Sequence, residues 1–152
     1  MSYTTAEARE RILRELGSAT DQIALALDYL SDAYEQVDVN LAERLEEQLF
    51  SPVQAAYARA RRTRTEFVSR HALADLDGHA APPVARPHGA FALIEAAGEA
   101  AGQADQWIAE LQDSMLPVEV GDELLRAGLS ETRGLLSALP ARAHELVRTI
   151  GR

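Results

Sequence analysis

The chain contains no cysteine among its 152 residues. Disulfides, thiolate nucleophiles, zinc–thiolate sites and iron–sulfur clusters are therefore excluded. Lysine is also absent, so the fifteen side chains counted as lysine or arginine are all arginine, which we interpret first as the mark of a GC-rich bacterial genome. Aromatic residues make up only 5% of the chain and extended β-rich runs are missing, so the expected class is all-α.

Long apolar runs are missing as well. None approaches the roughly 20 residues that a membrane-spanning helix needs. Charged residues, including Glu7, Arg9 and Glu10, stand where a signal peptide would have its apolar core, so we expect a cytoplasmic protein. The net charge of −9 argues against nucleic acid and anionic membranes as partners, because both attract proteins mainly through cations.

A seven-residue repeat of apolar side chains dominates the first quarter of the chain. Additional apolar residues widen the stripe on one side, which favours a bundle over a two-stranded coiled coil. Thr4 and Glu7 form a capping box, so a helix is predicted to begin there and to end near Val37. The repeat consists of Ile12, Leu16, Ala19, Ile23, Ala26, Leu30, Ala33 and Val37.

A second helix is predicted from Asn40 to about His71. Asn40 and Glu43 repeat the capping box. Pro52 lies inside this stretch, and we expect a kink there because proline lacks an amide hydrogen and clashes with the preceding turn.

Two more helices are predicted in the second half of the chain. The third begins near Gly89 and carries another heptad stripe, and the fourth follows a tight turn at Pro117 and is kinked near Pro140. Because short connections join antiparallel neighbours, the predicted fold is an antiparallel up-down-up-down four-helix bundle in a single domain, residues 1–152. Its parts are the helical hairpin 4–72, the long loop 73–88 and the helical hairpin 89–151.

Acidic and basic residues are separated along the sequence. Eight acids and one base lie between Asp21 and Glu47, whereas five bases and one acid lie between Arg59 and Arg70. In the predicted bundle both tight turns lie at one end, so we expect an acidic end and a basic end. The functional interpretation is that one end docks a charged partner, and the alternative is a set of solvated ion pairs of little consequence. The arginines proposed as interface residues are Arg59, Arg61, Arg62 and Arg64.

The third predicted helix is unusually rich in small residues. Glycine inside a helix costs about 1 kcal/mol relative to alanine, so clustered glycines indicate that a neighbouring backbone comes close. We expect this face to exceed what one bundle covers and to form an interface, in a homodimer or with a separately encoded protein. The proposed interface residues on this helix are Gly98, Ala101, Gly102 and Trp107.

Candidate metal ligands are concentrated in the long loop. Imidazole and carboxylate are suitable ligands, but the spacing matches no compact motif, and the Glu-x-x-His pairs of a di-metal bundle are missing. No setting for a nucleophilic serine or a phosphate loop occurs. We therefore predict a non-catalytic protein without a cofactor that acts through protein contacts. The alternative is a small-molecule- or metal-binding bundle with loop 73–88 as a lid or ligand donor, and its candidate metal ligands are His71, His79, His88, Asp75 and Asp77.

Overall fold

A computed structural model describes residues 4–74 and 85–150. These residues contain helices and no strand, so the expected all-α class is confirmed. No helix within the described ranges has the length and apolar character needed to cross a membrane. The helices are α1 (Thr5–Glu35), α2 (Val39–Leu45), a π-helical segment (Glu46–Phe50), α3 (Ser51–Arg70), α4 (Ala90–Asp113), α5 (Leu116–Val120), α6 (Glu123–Leu136) and α7 (Leu139–Ile150).

Helix α1 begins where the capping box predicts. The Thr4 hydroxyl accepts a hydrogen bond from the Glu7 amide at 3.2 Å, which satisfies one of the amides that a helix start leaves unpaired. Every residue of the apolar repeat is buried except Val37, because the helix ends at Glu35. Its 31 residues give a length of about 46 Å.

Asp38 caps the second helical stretch in place of Asn40. Its carboxylate accepts a hydrogen bond from the Leu41 amide at 2.8 Å, and α2 therefore begins at Val39 with Asn40 inside it. The predicted cap was wrong because a carboxylate two residues earlier already satisfies the first amides of the helix. From α2 the helix continues through the π-helical segment into α3. The π-helical segment ends just before Ser51 and Pro52, and the kink itself stays a prediction.

Helix α4 runs in the direction opposite to the predicted one. Arg86, shortly before α4, pairs with Asp28 and Asp32 near the end of α1, whereas the last turns of α4 border residues 11–18 of α1. Helices α1 and α4 are therefore antiparallel, and the up-down-up-down order was wrong. Short connections fix the direction of the helices they join, but the connection between α3 and α4 is long enough to cross the molecule from one end to the other.

Helices α6 and α7 return along α3 and α4. Arg59 pairs with Glu131 and Arg70 with Asp122, so α6 runs antiparallel to α3. The helical path is interrupted just before Pro140, and α7 then packs along α4. A kink angle near Pro140 stays a prediction.

The core lies between these helices, and most of its largest side chains are leucine and isoleucine. Full burial of one such side chain contributes about 1.5–3 kcal/mol, so the matched stripes of α1 and α4 hold the two longest helices together. The largest fully buried side chains include Ile12, Leu16, Ile23, Leu30, Leu45, Leu49, Phe67, Ile94, Ile108, Leu111 and Leu125.

The acids of the second turn lie beside the basic stretch rather than opposite to it. Asp122, which follows this turn, contacts Arg70 directly. The predicted separation into an acidic end and a basic end was therefore wrong, because it depended on the direction of α4. The first acidic stretch, between Asp21 and Glu47, does surround the α1–α2 turn.

Candidate functional site

Asp122 is the centre of the most extensive polar cluster among the described residues. Its side chain is only 4% exposed. One carboxylate oxygen accepts hydrogen bonds from the Leu125 amide and from Arg70, at 2.8 and 2.9 Å. The other oxygen contacts Arg70 at 2.8 Å and the Nε2 atom of His71, also at 2.8 Å. Asp122 thereby caps α6 and ties its first turn to the end of α3.

The electrostatics of this cluster favour an ionised carboxylate. Burial raises the pKa of Asp122, but the hydrogen bonds from Leu125, Arg70 and His71 together outweigh burial and hold the pKa below its ordinary value. Since both oxygens already accept two or more hydrogen bonds inside the chain, the group is not presented to a substrate. The geometry is that of a clamp between two helices.

The two proposed metal ligands that lie in the described residues, His71 and His88, are not close to each other. His71 is bonded to Asp122, at one end of α1. His88 is exposed and follows Arg86, which pairs near the other end of α1. In residues 4–74 and 85–150 no group of three or more potential ligands could hold a metal ion. The remaining candidates, Asp75, Asp77 and His79, lie outside the described residues.

The small-residue face of α4 packs against α7 of the same chain. A Cβ atom built on Gly98 would lie 2.6 Å from the Ala143 Cβ atom, and one built on Gly102 would lie 3.1 Å from Pro140. The close backbone approach is therefore present, within one chain. Ala101 has 0% exposure, and use of this face by a second chain stays a prediction that requires α7 to move away.

Trp107 lies outside this packed face. It is half-buried and borders a shallow groove of ≈ 330 Å³ between α4 and the first half of α1. The groove is lined also by charged and hydroxyl groups, among them Arg11, Glu15 and Ser18. Trp107 is the only aromatic or aliphatic side chain in the lining of this groove.

The four arginines proposed as interface residues all have contacts inside the chain. Arg59 is the most enclosed, with its side chain 15% exposed, whereas Arg61 and Arg62 are exposed. The ion-pair interpretation therefore applies to Arg59, which pairs with Glu131 on α6, and to Arg62, which pairs with Glu66 on α3. The contacts are Glu131 for Arg59, the Tyr57 ring at 5.6 Å for Arg61, Glu66 at 3.9 Å for Arg62 and the side of α1 near Gly17 for Arg64.

An apolar groove that the sequence did not indicate lies where α4, α5 and α6 meet. We call it the elbow groove, and its volume is ≈ 530 Å³. Met115 and Val118 are 52% and 43% exposed beside it, and Met115 has a left-handed backbone with φ 66°. In the sequence, the only indication of this groove was a methionine and a valine close to Pro117. Residues in a turn follow no helical period, so the sequence does not show whether their side chains point inward or outward. The lining consists of Gln112, Met115, Pro117, Val118, Glu123, Arg126, Ala127, Leu129 and Ser130.

Asp122 was also missed in the sequence. An aspartate directly before an apolar helical stretch is a standard helix-capping signal, and Gly121 before it marks the end of the preceding turn. Its partners, Arg70 and His71, are far away in sequence and become neighbours only in the folded chain.

Comparison with known protein families, with curated proteins and with solved structures finds no match to this chain.

Proposed function

We propose that this protein is a non-catalytic, cytoplasmic helical-bundle protein that acts through protein–protein contacts, by self-association or as an adaptor for a separately encoded partner. The elbow groove is the observation that carries the proposal. It combines exposed apolar side chains with a concave surface. The main polar cluster, around Asp122, instead connects α3 to α6 through hydrogen bonds within the chain.

The chemistry of the elbow groove suits a protein partner. Methionine adapts its shape to different apolar surfaces and is enriched in protein interfaces. Met115 and Val118 are both exposed and line the same groove, and exposed apolar surface of this kind marks interaction sites.

The rim of the elbow groove suits a second copy of the chain in particular. Glu123 and Arg126 both border the groove, and neither forms an ion pair with any residue of the described ranges. In a two-fold symmetric dimer both copies use the same surface, so a contact from one residue to a second is repeated from the second to the first. Glu123 of each protomer would then pair with Arg126 of its partner, so one groove supplies both complementary charges.

We also propose how the helices are arranged. The four arms α1, α2–α3, α4 and α6–α7 form a four-helix bundle with one long crossover, bent near Pro52 and Pro140. The elbow groove lies at the end of this bundle, where α5 joins the third arm to the fourth.

Native mass spectrometry of the purified protein tests the proposal with a matched pair of variants. Val118→Glu places a charge in the elbow groove, and Val39→Glu places the same charge at another exposed valine, on α2, whose exposure is 74% against 43% for Val118. We expect a dimer for the wild type and for Val39→Glu, and a monomer for Val118→Glu, with unchanged helical circular dichroism in all three. A dimer that survives Val118→Glu would show that the elbow groove is not the interface.

A charge exchange tests the two-fold pairing. Glu123→Arg alone should shift the equilibrium to monomer because it brings like charges together, and Glu123→Arg with Arg126→Glu should restore the dimer. A wild type that stays monomeric at its highest soluble concentration would rule out self-association. The adaptor form would then need a partner captured by the wild type and lost with Val118→Glu.

A further inference from the structure

A third groove lies at the end of the molecule opposite the elbow groove. It runs between the last turns of α1 and the π-helical segment, and its volume is ≈ 360 Å³. We call it the aromatic groove. It is lined by Ser31, Tyr34, Glu35, Glu46 and Phe50.

Two aromatic side chains give this groove its apolar surface. The ring centroids of Tyr34 and Phe50 are 6.4 Å apart and the ring planes are inclined by 55°, a favourable arrangement for an aromatic pair. Tyr34 is nevertheless 43% exposed, while Leu30 and Ala33 on the same helix are fully buried. Much of the tyrosine surface is therefore open to a ligand.

The π-helical segment determines which side chains reach the groove. A π-helical turn contains more residues than an α-helical turn and changes the direction in which its side chains project, and such turns are frequent at functional sites. Glu46 and Phe50 are the first and last residues of the segment, and both line the groove. Pro52 has no amide hydrogen for the Gln48 carbonyl, which accepts a hydrogen bond from Arg142 at 3.5 Å instead.

The charge of the aromatic groove is negative and is not neutralised from within the described parts of the chain. Glu35 and Glu46 are exposed, and neither has an ion-pair partner there. The arginines at this end of the molecule contact other groups. These contacts are Thr149 for Arg44, the Gln48 carbonyl for Arg142, Asp28 with Asp32 for Arg86, and Glu145 for Arg148.

We infer that the aromatic groove binds an arginine side chain presented by a basic segment of a partner protein. A guanidinium group is planar, so it stacks on an aromatic face while its N–H groups reach carboxylates at the sides. Tyr34 supplies the face, and Glu35 and Glu46 supply the acceptors. A lysine would retain the charge attraction but would lose the planar stacking and the paired hydrogen bonds.

The occupant is a separate protein rather than a second copy. The exposed arginines of the basic stretch, Arg61 and Arg62, already contact Tyr57 and Glu66 of their own chain. The net charge of −9 also makes a basic partner the favourable one. This inference does not depend on dimerisation through the elbow groove, which lies at the other end.

Fluorescence anisotropy with a defined probe tests the inference. The probe is a fluorescein-labelled peptide of alternating glycine and arginine, compared with its lysine counterpart of equal length and charge. We expect the arginine peptide to bind at least about threefold more tightly. Tyr34→Phe should bind like the wild type, and Tyr34→Leu about fivefold more weakly, because only the ring is needed.

A pair of double variants separates the groove from the overall charge. Glu35→Gln with Glu46→Gln should weaken binding of the arginine peptide about tenfold. The control variant, Glu10→Gln with Glu119→Gln, changes the net charge by the same amount at exposed acids outside the groove. It should weaken binding of the arginine peptide less than about twofold.

Four results would overturn the inference. The first is no binding of the arginine peptide at low salt, and the second is an equal loss of peptide affinity in the two double variants. The third is equal peptide affinity of Tyr34→Phe and Tyr34→Leu. The fourth is a lower native mass of the Glu35→Gln with Glu46→Gln variant than of the wild type, measured in the absence of peptide. The last result would identify a second copy as the occupant. Loss of the dimer in Val118→Glu would leave all the peptide affinities unchanged.

Discussion

Gly98→Ala is expected to destabilise the protein although alanine is the better helix former. A Cβ atom at position 98 would lie 2.6 Å from the Ala143 Cβ atom, whereas carbon atoms in contact stay about 3.5–4.0 Å apart. Neither Cβ atom can turn away, because its position is set by the backbone of its helix. Helices α4 and α7 would have to separate by about 1 Å to remove the overlap.

The magnitude follows from two opposing contributions. Overpacking a core by one methyl group costs about 1–3 kcal/mol, and the upper part of that range applies where backbones must move. Replacing glycine by alanine inside a helix stabilises the helix by about 1 kcal/mol. We therefore expect the free energy of unfolding to fall by about 1–2 kcal/mol, measured by urea denaturation with an unchanged slope.

Two controls make this prediction specific. Gly134 lies in α6 with nothing within 4 Å of a built Cβ atom, so Gly134→Ala should stabilise the protein by about 0.5–1 kcal/mol. Gly98→Ala combined with Ala143→Gly restores the clearance and should return stability to within about 1 kcal/mol of the wild type. Equal effects of the Gly98 and Gly134 substitutions, or purely additive effects in the double variant, would refute the packing of α4 on α7 described above.

Two further predictions concern the ends of helices. Asp122→Ala removes a helix cap and a buried ion-pair partner and should cost about 3 kcal/mol in urea denaturation, whereas Asp122→Asn keeps a capping oxygen and should cost about 1–2 kcal/mol. Because the folded pKa of Asp122 lies below its unfolded value, its stabilising contribution is complete above the unfolded pKa of about 4 and is lost as pH falls through the folded pKa. The difference in the free energy of unfolding between wild type and Asp122→Asn should therefore become smaller below about pH 4. A difference that stays constant with pH would contradict the lowered pKa of Asp122. Ala72 follows α3 with a left-handed φ of 50°, so Ala72→Gly should raise the thermal midpoint through a gain of about 0.5–1 kcal/mol, and a lowered midpoint would count against it.

The sequence contained enough information for the helices and too little for their connection. Apolar repeats and the Thr4 cap predict α1 closely, because both signals are local to the helix. The direction of α4 relative to α1 depends on how the intervening connection is routed, and a connection of that length is compatible with either direction. The error in direction then produced the error about charged ends, since the turn between the third and fourth predicted helices was placed at the wrong end.

The candidate surfaces were harder to predict than the helices. Glycine clustering at 98 and 102 correctly indicated a close backbone contact, but sequence does not show whether the neighbour belongs to the same chain. Met115 and Val118 lie in a short helix after a turn, where no apolar period separates inward from outward positions. The aromatic groove depends on a π-helical segment, whose altered phase is invisible to an analysis based on 3.6 residues per turn.

The crossover also shapes how the chain is made. Helix α1 is synthesised first, yet its long antiparallel partner α4 is completed about 80 residues later. At about 5–20 residues per second, part of the α1 stripe stays uncovered for roughly 4–16 s after α1 has been translated, with only the α2–α3 arm to shield it. During that interval the exposed stripe can capture an α4 helix from a neighbouring nascent chain on the same messenger RNA. Co-translational exchange of the second hairpin between chains is therefore the misassembly to which this order of helices is most exposed.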